Sequence, residues 1–331
     1  MAATDAGAPG APGAPGAPGA QPADVLTVVV PSATAAENLA EHGGDLGGWR
    51  TVVWDGSGDP PPEARDARML LGAYMGNPLP QTTMGQLPAL EAVQLLSAGF
   101  GGWDDRLPDG VALCNGRGVH SASTAELAVL GVLSWRRELL RFYEQQAMER
   151  WEDAPRPGDL DRLPVLVLGA GDIAAYVRSA LEVFGAEVTL VGRTRRDGVV
   201  AIDDVDALLP QTKAVVVAWP LNAETEDFLD GRRLALLPDG AVVVNVARGQ
   251  HVDNEALLAE LMSERLHAFL DVTDPEPLPE DHPLWDAPNL TITPHVGGGT
   301  QGWERRGFGL LGDQLRAYAE GGVDALANRV V

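Results

Sequence analysis

The chain has one cysteine, one lysine and no long apolar run, and each scarcity removes a class of protein. Cys114 alone cannot close an internal disulfide, so a reducing cytoplasm is the expected compartment. No HExxH, no CxxC pair and no other clustered ligand pattern occurs, so no metal site is expected. The nucleophile elbow GxSxG and the phosphate loop GxxxxGK[ST] are also missing. The lone lysine, Lys213, has no tyrosine four residues before it, which removes the YxxxK pair of short-chain dehydrogenases. No apolar stretch is long enough to span a bilayer, and the N-terminus has neither the basic start nor the apolar core of a secretory signal. Positive charge is scarce as well: 24 Lys and Arg face 47 Asp and Glu, a net charge of −23. That balance argues against nucleic acid or an anionic membrane as partner, because both attract basic surfaces.

What is present points to two α/β domains. A length of 331 residues fits about two domains, and 45% hydrophobic content is ample for two cores. Residues 1–24, with a short Gly-Ala-Pro repeat, read as a disordered tail. From Val25 strand-like and helix-like pieces alternate: VLTVVV, ATAAENLAEHG, TVVWD, RMLLGAY, AVQLLSAG, VALCN. This is the cadence of a small parallel domain. The loop SAGFGGWDD (97–105) follows a strand, and its successive N–H groups can form a nest for an anion. Next, the capping-box spacing of Ser123 and Glu126, with Leu127, Leu130, Leu133, Leu140 and Tyr143, predicts one helix from Thr124 to about Trp151. At ~1.5 Å per residue this is a rod of roughly 40 Å.

LPVLVLGAGDIAAYVRSALEVFGAEVTLVGRTRR reads as a strand (Val165 to Leu168), a glycine turn, a helix ending at Gly185 and a second strand (Glu187 to Val191). This opens a dinucleotide fold. Gly169 allows the tight turn, Gly171 lets the backbone approach a diphosphate, and Ala174 takes the small position where helix meets strand. The free N–H groups at the helix start, around Asp172 and Ile173, face the phosphates. An NAD-preferring fold places an acidic residue after the second strand. Here Gly192 is followed by Arg193, Thr194, Arg195 and Arg196, so NADPH is expected to be preferred, with NADH possible.

Further along stand Arg248 in NVARG, Glu276 in DVTDPEP and His295 in TPHVGG. They offer a cation for a carboxylate, an imidazole to move a proton, and a carboxylate to keep that imidazole charged. Together these are the means of reducing a 2-keto acid. From about Gly118 to Thr300, GAGDIA, WPLNAETEDFLDGRRLALLPDGAVVVNVARG, VDNEALLAEL, DVTDPEP with HPLW, and NLTITPHVGG follow one another in the order of a known family. The chain resembles the D-isomer-specific 2-hydroxyacid dehydrogenases, in their glyoxylate/hydroxypyruvate reductase-like branch.

The resemblance implies a Rossmann-type coenzyme domain (119–299) inserted into a flavodoxin-like substrate domain (25–118 plus 300–331), with hinges near Gly118 and Gly299. It implies Arg248, Glu276 and His295 as catalytic residues, and Gly99, Phe100, Gly101 and Arg248 as substrate-binding. Trp219, Pro220, Val246, Ala247, Asp271 and Gly297 would join the glycine turn and Arg193, Thr194 and Arg195 around the cofactor. Substrate side chains would be read by Tyr74, Met75, Phe100 and Trp103. The long helix would embrace a second subunit, giving a homodimer. Trp151 lies where some relatives send a tryptophan into the neighbour's site, with packing as the plainer role. The expected reaction is reduction of a small 2-keto acid to a D-2-hydroxy acid, and a weakly active regulatory or scaffold protein is the alternative. Gln250 and His251 depart from the family pattern.

Overall fold

The computed structural model describes residues 25–72, 81–100, 102–103, 106–152 and 156–331, with only the backbone at 81–82. Residues 1–24 and the expected site residues Tyr74, Met75 and Gly101 lie outside that set. The first part of the chain forms β1 (Thr27–Val30), α1 (Ala33–His42), β2 (Arg50–Val53), β3 (Met69–Leu71), α2 (Gln81–Gly85), β4 (Ala92–Gln94) and β5 (Ala112–Cys114). All five strands pair in parallel in the order β2-β1-β3-β4-β5, the flavodoxin-like arrangement. Alternation along β1 sends Val28 and Val30 to one face and Val29 to the other, and each face has its own core.

The chain then crosses over. It forms α3 (Ser121–Arg136), α4 (Leu139–Ala147), β6 (Pro164–Leu168), α5 (Asp172–Val183), β7 (Glu187–Gly192), β8 (Val199–Ala201), α6 (Val205–Leu208) and β9 (Ala214–Val217). There follow α7 (Gly231–Leu236), β10 (Val242–Asn245), α8 (Asn254–Met262), β11 (His267–Leu270) and β12 (Leu290–Ile292). The strands form a second parallel sheet, β12-β11-β10-β9-β6-β7-β8. Its middle strands, β9 and β10, are buried along their whole length, as a parallel sheet covered on both faces requires. The order reverses between β6 and β9, and the crevice beyond their C-terminal ends is where such a fold binds its ligand.

The last helix, α9 (Trp303–Gly321), returns to the first sheet. Phe308, Leu311, Leu315 and Tyr318 join the core of β1, β3 and α1, and each fully buried leucine contributes ~1.5–3 kcal/mol. Gly312 makes this possible, since a Cβ there would lie 2.0 Å from the Gly43 carbonyl oxygen. The tail then runs beside β5, where Val330 N donates to Leu113 O and Leu113 N to Val331 O.

One sequence expectation is corrected. The rod from Thr124 to Trp151 is two helices, with Glu138 between them in the left-handed region at φ 53°. That conformation ends the i to i−4 ladder, and Arg141 Nη1 donates to Glu138 Oε2 at 2.8 Å across the break. The helix also starts earlier, at Ser121, and Ser123 is inside it, donating to His120 O. The leucines that carried the helical pattern do not all pack within the chain: Leu130, Leu140, Tyr143 and Met148 are exposed. α3 is instead buried through small residues, and a Cβ on Gly131 would press on the Phe269 ring at 2.8 Å. Trp151 is 100% exposed, so a packing role within the chain is excluded. No helix among the described residues is long and apolar enough to cross a membrane.

Candidate active site

The glycine turn sits at the C-terminal end of β6, beside the sheet's reversal. Gly169 has φ 142°, and a Cβ there would lie 2.6 Å from Ala218 O, so no other residue fits. Gly171 caps α5 without a side chain, and the space where its Cβ would point holds nothing within 4 Å. Ala174 is fully buried against the strand. The turn thus combines an open approach with free helix N–H groups, which fits the diphosphate of a dinucleotide. Asp172, the first residue of α5, is held by both guanidinium arms of Arg117 at 2.9 and 2.8 Å.

The arginine turn after β7 is exposed, and its members are already engaged. Arg195 pairs with Asp204 at 2.6 Å, Arg193 lies 3.7 Å from Glu224, and Arg196 donates to Ala170 O at 3.3 Å. Thr194 is exposed between them. Trp219 turns its ring inward, edge-on to Phe228 at 4.7 Å, and Val246 is buried as well. Pro220 is exposed beside Trp219, and Ala247 is half-buried.

His295 and Glu276 come together. His295 Nδ1–H donates to Glu276 Oε1 at 2.5 Å, both side chains are partly exposed, and the ring's Nε2 is left for another partner. His295 itself has φ 52°, a left-handed conformation that a residue with a side chain adopts only when its surroundings impose it. Asp271 supplies that constraint. Its buried carboxylate accepts from Thr293 Oγ1 at 2.5 Å and from the N–H groups of Val296 and Gly297 at 2.9 Å, while its carbonyl accepts from His295 N. These contacts occupy both carboxylate oxygens with the loop itself, a structural role that the sequence reading missed.

Arg248 is placed by a second buried strut. Asn245, at the end of β10, donates to Arg248 O at 2.8 Å and accepts from Ala247 N at 3.1 Å. Gly249 lets this turn lie against the end of the 271–274 segment, since a Cβ would be 2.1 Å from the Thr273 carbonyl. Of the two residues that depart from the family pattern, Gln250 strengthens the same seam, whereas His251 ties the turn to a different segment, at Thr225. Gln250 Nε2 donates to Asp274 Oδ1 at 2.9 Å, and the fully buried His251 donates from Nδ1 to Thr225 O at 2.8 Å. Burial lowers the His251 pKa from its ordinary value.

The two lobes meet at Arg248. Its Nη2 lies 2.8 Å from where a Cβ on Gly99 would stand, so the first lobe's loop and the tip of the guanidinium are in close contact. Ser97 Oγ donates to Gly99 O at 2.7 Å and shapes that loop. Phe100 and Trp103 pack partly against the lobe's own core. A second tie was not foreseen: the His120 ring reaches Gly298 O at 2.9 Å and Leu96 O at 3.0 Å. Arg306 beside it donates to Val119 O, at the first crossing.

With this geometry in view, the sequence can be compared with known proteins. Residues 129–297 match the family described as "D-isomer specific 2-hydroxyacid dehydrogenase, NAD binding domain". The chain belongs to that family. A glyoxylate/hydroxypyruvate reductase A from Citrobacter koseri is 37% identical over 180 residues, covering 52% of this chain and 56% of the relative. The chain therefore spans about half the length of the curated relatives it matches. Among solved structures, a D-isomer specific 2-hydroxyacid dehydrogenase from Xanthobacter autotrophicus Py2, in complex with NADPH and MES, superposes with TM-score 0.79 and 29% identity, over 92% of this chain and 98% of that one. A family protein from Aeromonas salmonicida gives 0.78 at 25% identity, over 93% and 98%. As a 2-hydroxyacid dehydrogenase family member, the chain thus keeps the two-lobed α/β arrangement across nearly its whole length.

Proposed function

We propose that this dehydrogenase reduces small 2-keto acids such as glyoxylate, hydroxypyruvate or a substituted pyruvate to D-2-hydroxy acids, using NADPH. The observation that carries the reading is the 2.5 Å bond between His295 and Glu276; the Arg248 turn packs on Thr273 and Asp274, just before Glu276, and its guanidinium lies beside the Gly99 loop. When bound, the coenzyme supplies the hydride. His295 Nε2 gives a proton to the keto oxygen as charge develops there, a step that typically contributes ~10²- to 10⁴-fold. Glu276 accepts from Nδ1–H and so fixes the ring's orientation, leaving Nε2 to face the substrate. Arg248 pairs with the substrate carboxylate and polarises the keto oxygen, its planar fork suiting both. The main-chain N–H groups of Gly99 and Phe100 complete the carboxylate site.

The glycine turn would hold the diphosphate, with Gly169, Gly171, Asp172 and Ile173 around it, and Asp271 and Gly297 would border the nicotinamide. NADPH is favoured because no carboxylate stands directly after β7, where Arg193 follows Gly192, and because the pairs on Arg193 and Arg195 are exposed, screened by water and open to exchange for a 2′-phosphate. The NADPH in the Xanthobacter relative agrees. In this reading residues 25–118 and 300–331 bind substrate, 119–299 bind coenzyme, and closure about the crossings excludes water. A second copy of the chain would cover Leu130, Leu140, Tyr143, Met148 and Trp151. A reducing cytoplasm suits the buried Cys114, whose thiol burial pushes up to about 11.

The test is the loss of 340 nm absorbance when NADPH meets a panel of 2-keto acids, repeated with NADH. Turnover on at least one acid, faster with NADPH, is expected. Tight NADPH binding with no turnover on any of them would favour a regulatory protein on the same fold.

A further inference from the structure

Among the described residues, one salt bridge joins the two lobes, and it lies at the mouth of the glycine turn. Asp172 stands there. It opens α5, where the helix presents its free N–H groups and positive end to a phosphate. A carboxylate in that place satisfies the helix but opposes a diphosphate arriving beside it, like charge against like. Its counter-charge comes from outside the dinucleotide fold. Arg117 belongs to the crossing that follows β5, and it grips both carboxylate oxygens in a fork, Nε to Oδ2 at 2.9 Å and Nη2 to Oδ1 at 2.8 Å. This contact holds Asp172 below its ordinary pKa, so the carboxylate stays ionised.

The backbone of Arg117 is fixed while its side chain reaches out. Its N–H donates to Asn115 Oδ1 at 3.2 Å, and its carbonyl accepts from Asn328 Nδ2 at 3.1 Å. On the other side of the turn, Arg196 donates to Ala170 O, so guanidinium groups are bonded to the residues before and after Gly171. Between them the space above Gly171 is open. The Arg117 and Asp172 side chains are 63% and 34% exposed, and such solvent-screened pairs contribute little to stability. The bond is therefore cheap to exchange. A diphosphate brings more negative charge than one carboxylate and suits the same planar fork. On a chain with net charge −23, a cation at this point offsets the repulsion that such a ligand meets.

We infer that Arg117 is a coenzyme-binding residue supplied by the crossing segment: Asp172 holds its guanidinium ready, and the dinucleotide's diphosphate takes it over on binding. This rests on the coenzyme reading above and adds a residue to it. Because Arg117 sits at the crossing, the exchange also ties coenzyme occupancy to the junction between the lobes.

The experiment is calorimetric titration of the full chain, unmodified and as Arg117→Ala, Asp172→Asn and the double variant. Three ligands serve as probes: NADPH, 2′-phospho-ADP-ribose, which keeps the diphosphate, and adenosine 2′-phosphate, which lacks it. A charge-assisted bond lost to Arg117→Ala should weaken NADPH and 2′-phospho-ADP-ribose by roughly tenfold to a hundredfold and leave adenosine 2′-phosphate unchanged. Asp172→Asn should tighten the two diphosphate ligands, because it removes both a competitor and a like charge. Equal affinity of Arg117→Ala and the unmodified protein for NADPH would overturn the inference while leaving the coenzyme reading intact. So would a matching loss for adenosine 2′-phosphate, which marks general damage. Failure of the unmodified protein to bind NADPH would overturn the coenzyme reading and the inference with it.

Discussion

The two lobes meet the same crevice in different ways. In the proposed reading the seven-stranded lobe presents side chains: His295 and Arg248, set by Asp271 and Asn245 beneath them, and Glu276, bonded to His295. The five-stranded lobe presents backbone at its Ser97–Phe100 loop, where Gly99 lies close to the Arg248 guanidinium. Acid–base chemistry requires particular side chains, whereas holding a carboxylate requires only N–H groups aimed at one point. Selection on the second kind of site acts on shape, and shape can be reached by many sequences.

That contrast can be attacked from either side, and the largest effect should come from the side-chain lobe. Arg248→Ala removes the cation proposed to meet the developing charge, and steady-state kinetics should show a loss of about 10²- to 10³-fold in kcat/KM, with NADPH affinity kept. An Arg248→Lys variant that restored full activity would argue against the planar fork. In the backbone lobe, Gly99→Val would push a side chain into the Arg248 guanidinium. The guanidinium can swing aside at small structural cost but then leaves the proposed carboxylate site, so KM for the keto acid should rise about tenfold, the worth of one charge-assisted bond, with little change in NADPH Kd. A variant with unchanged KM would show that the loops do not meet in the working enzyme.

A smaller effect separates chemistry from scaffolding. Asp271→Asn sets an amide N–H₂ against donors from Thr293, Val296 or Gly297, which should lower unfolding free energy by ~1–3 kcal/mol in a denaturant titration. The smallest effect follows from His251, whose burial lowers its pKa from 6.5. The unfolded chain takes up this proton at higher pH than the folded one, so stability is complete above about 6.5 and falls as pH drops through the folded value. Melting temperatures measured across pH 7 to 5 should show a shallower decline in His251→Phe than in the unmodified protein.

The same contrast explains what could be read in advance. The β6-turn-α5-β7 unit was legible because each constraint on it is local: a strand of apolar residues, glycines where no Cβ fits, a helix of even pitch. His295 and Glu276 were legible through their motifs. The break at Glu138 was not, because glutamate carries no signal for a positive φ and the leucine period runs straight through it. Nor were the partners of Asp271, which lie 22 to 26 residues away and converge only when β11 and β12 pair. The arginine turn showed its composition but not its pairing, since Asp204 and Glu224 reach Arg195 and Arg193 through the fold.

The central claim is that one imidazole, oriented by Glu276, moves the proton. Its most direct test is the single-turnover rate of NADPH oxidation by the best 2-keto acid, compared between the unmodified protein and His295→Ala, with NADPH Kd measured on both. The account predicts a rate lower by ~10²- to 10⁴-fold in the variant at unchanged Kd. A variant that reduces the acid as fast as the unmodified protein would contradict it.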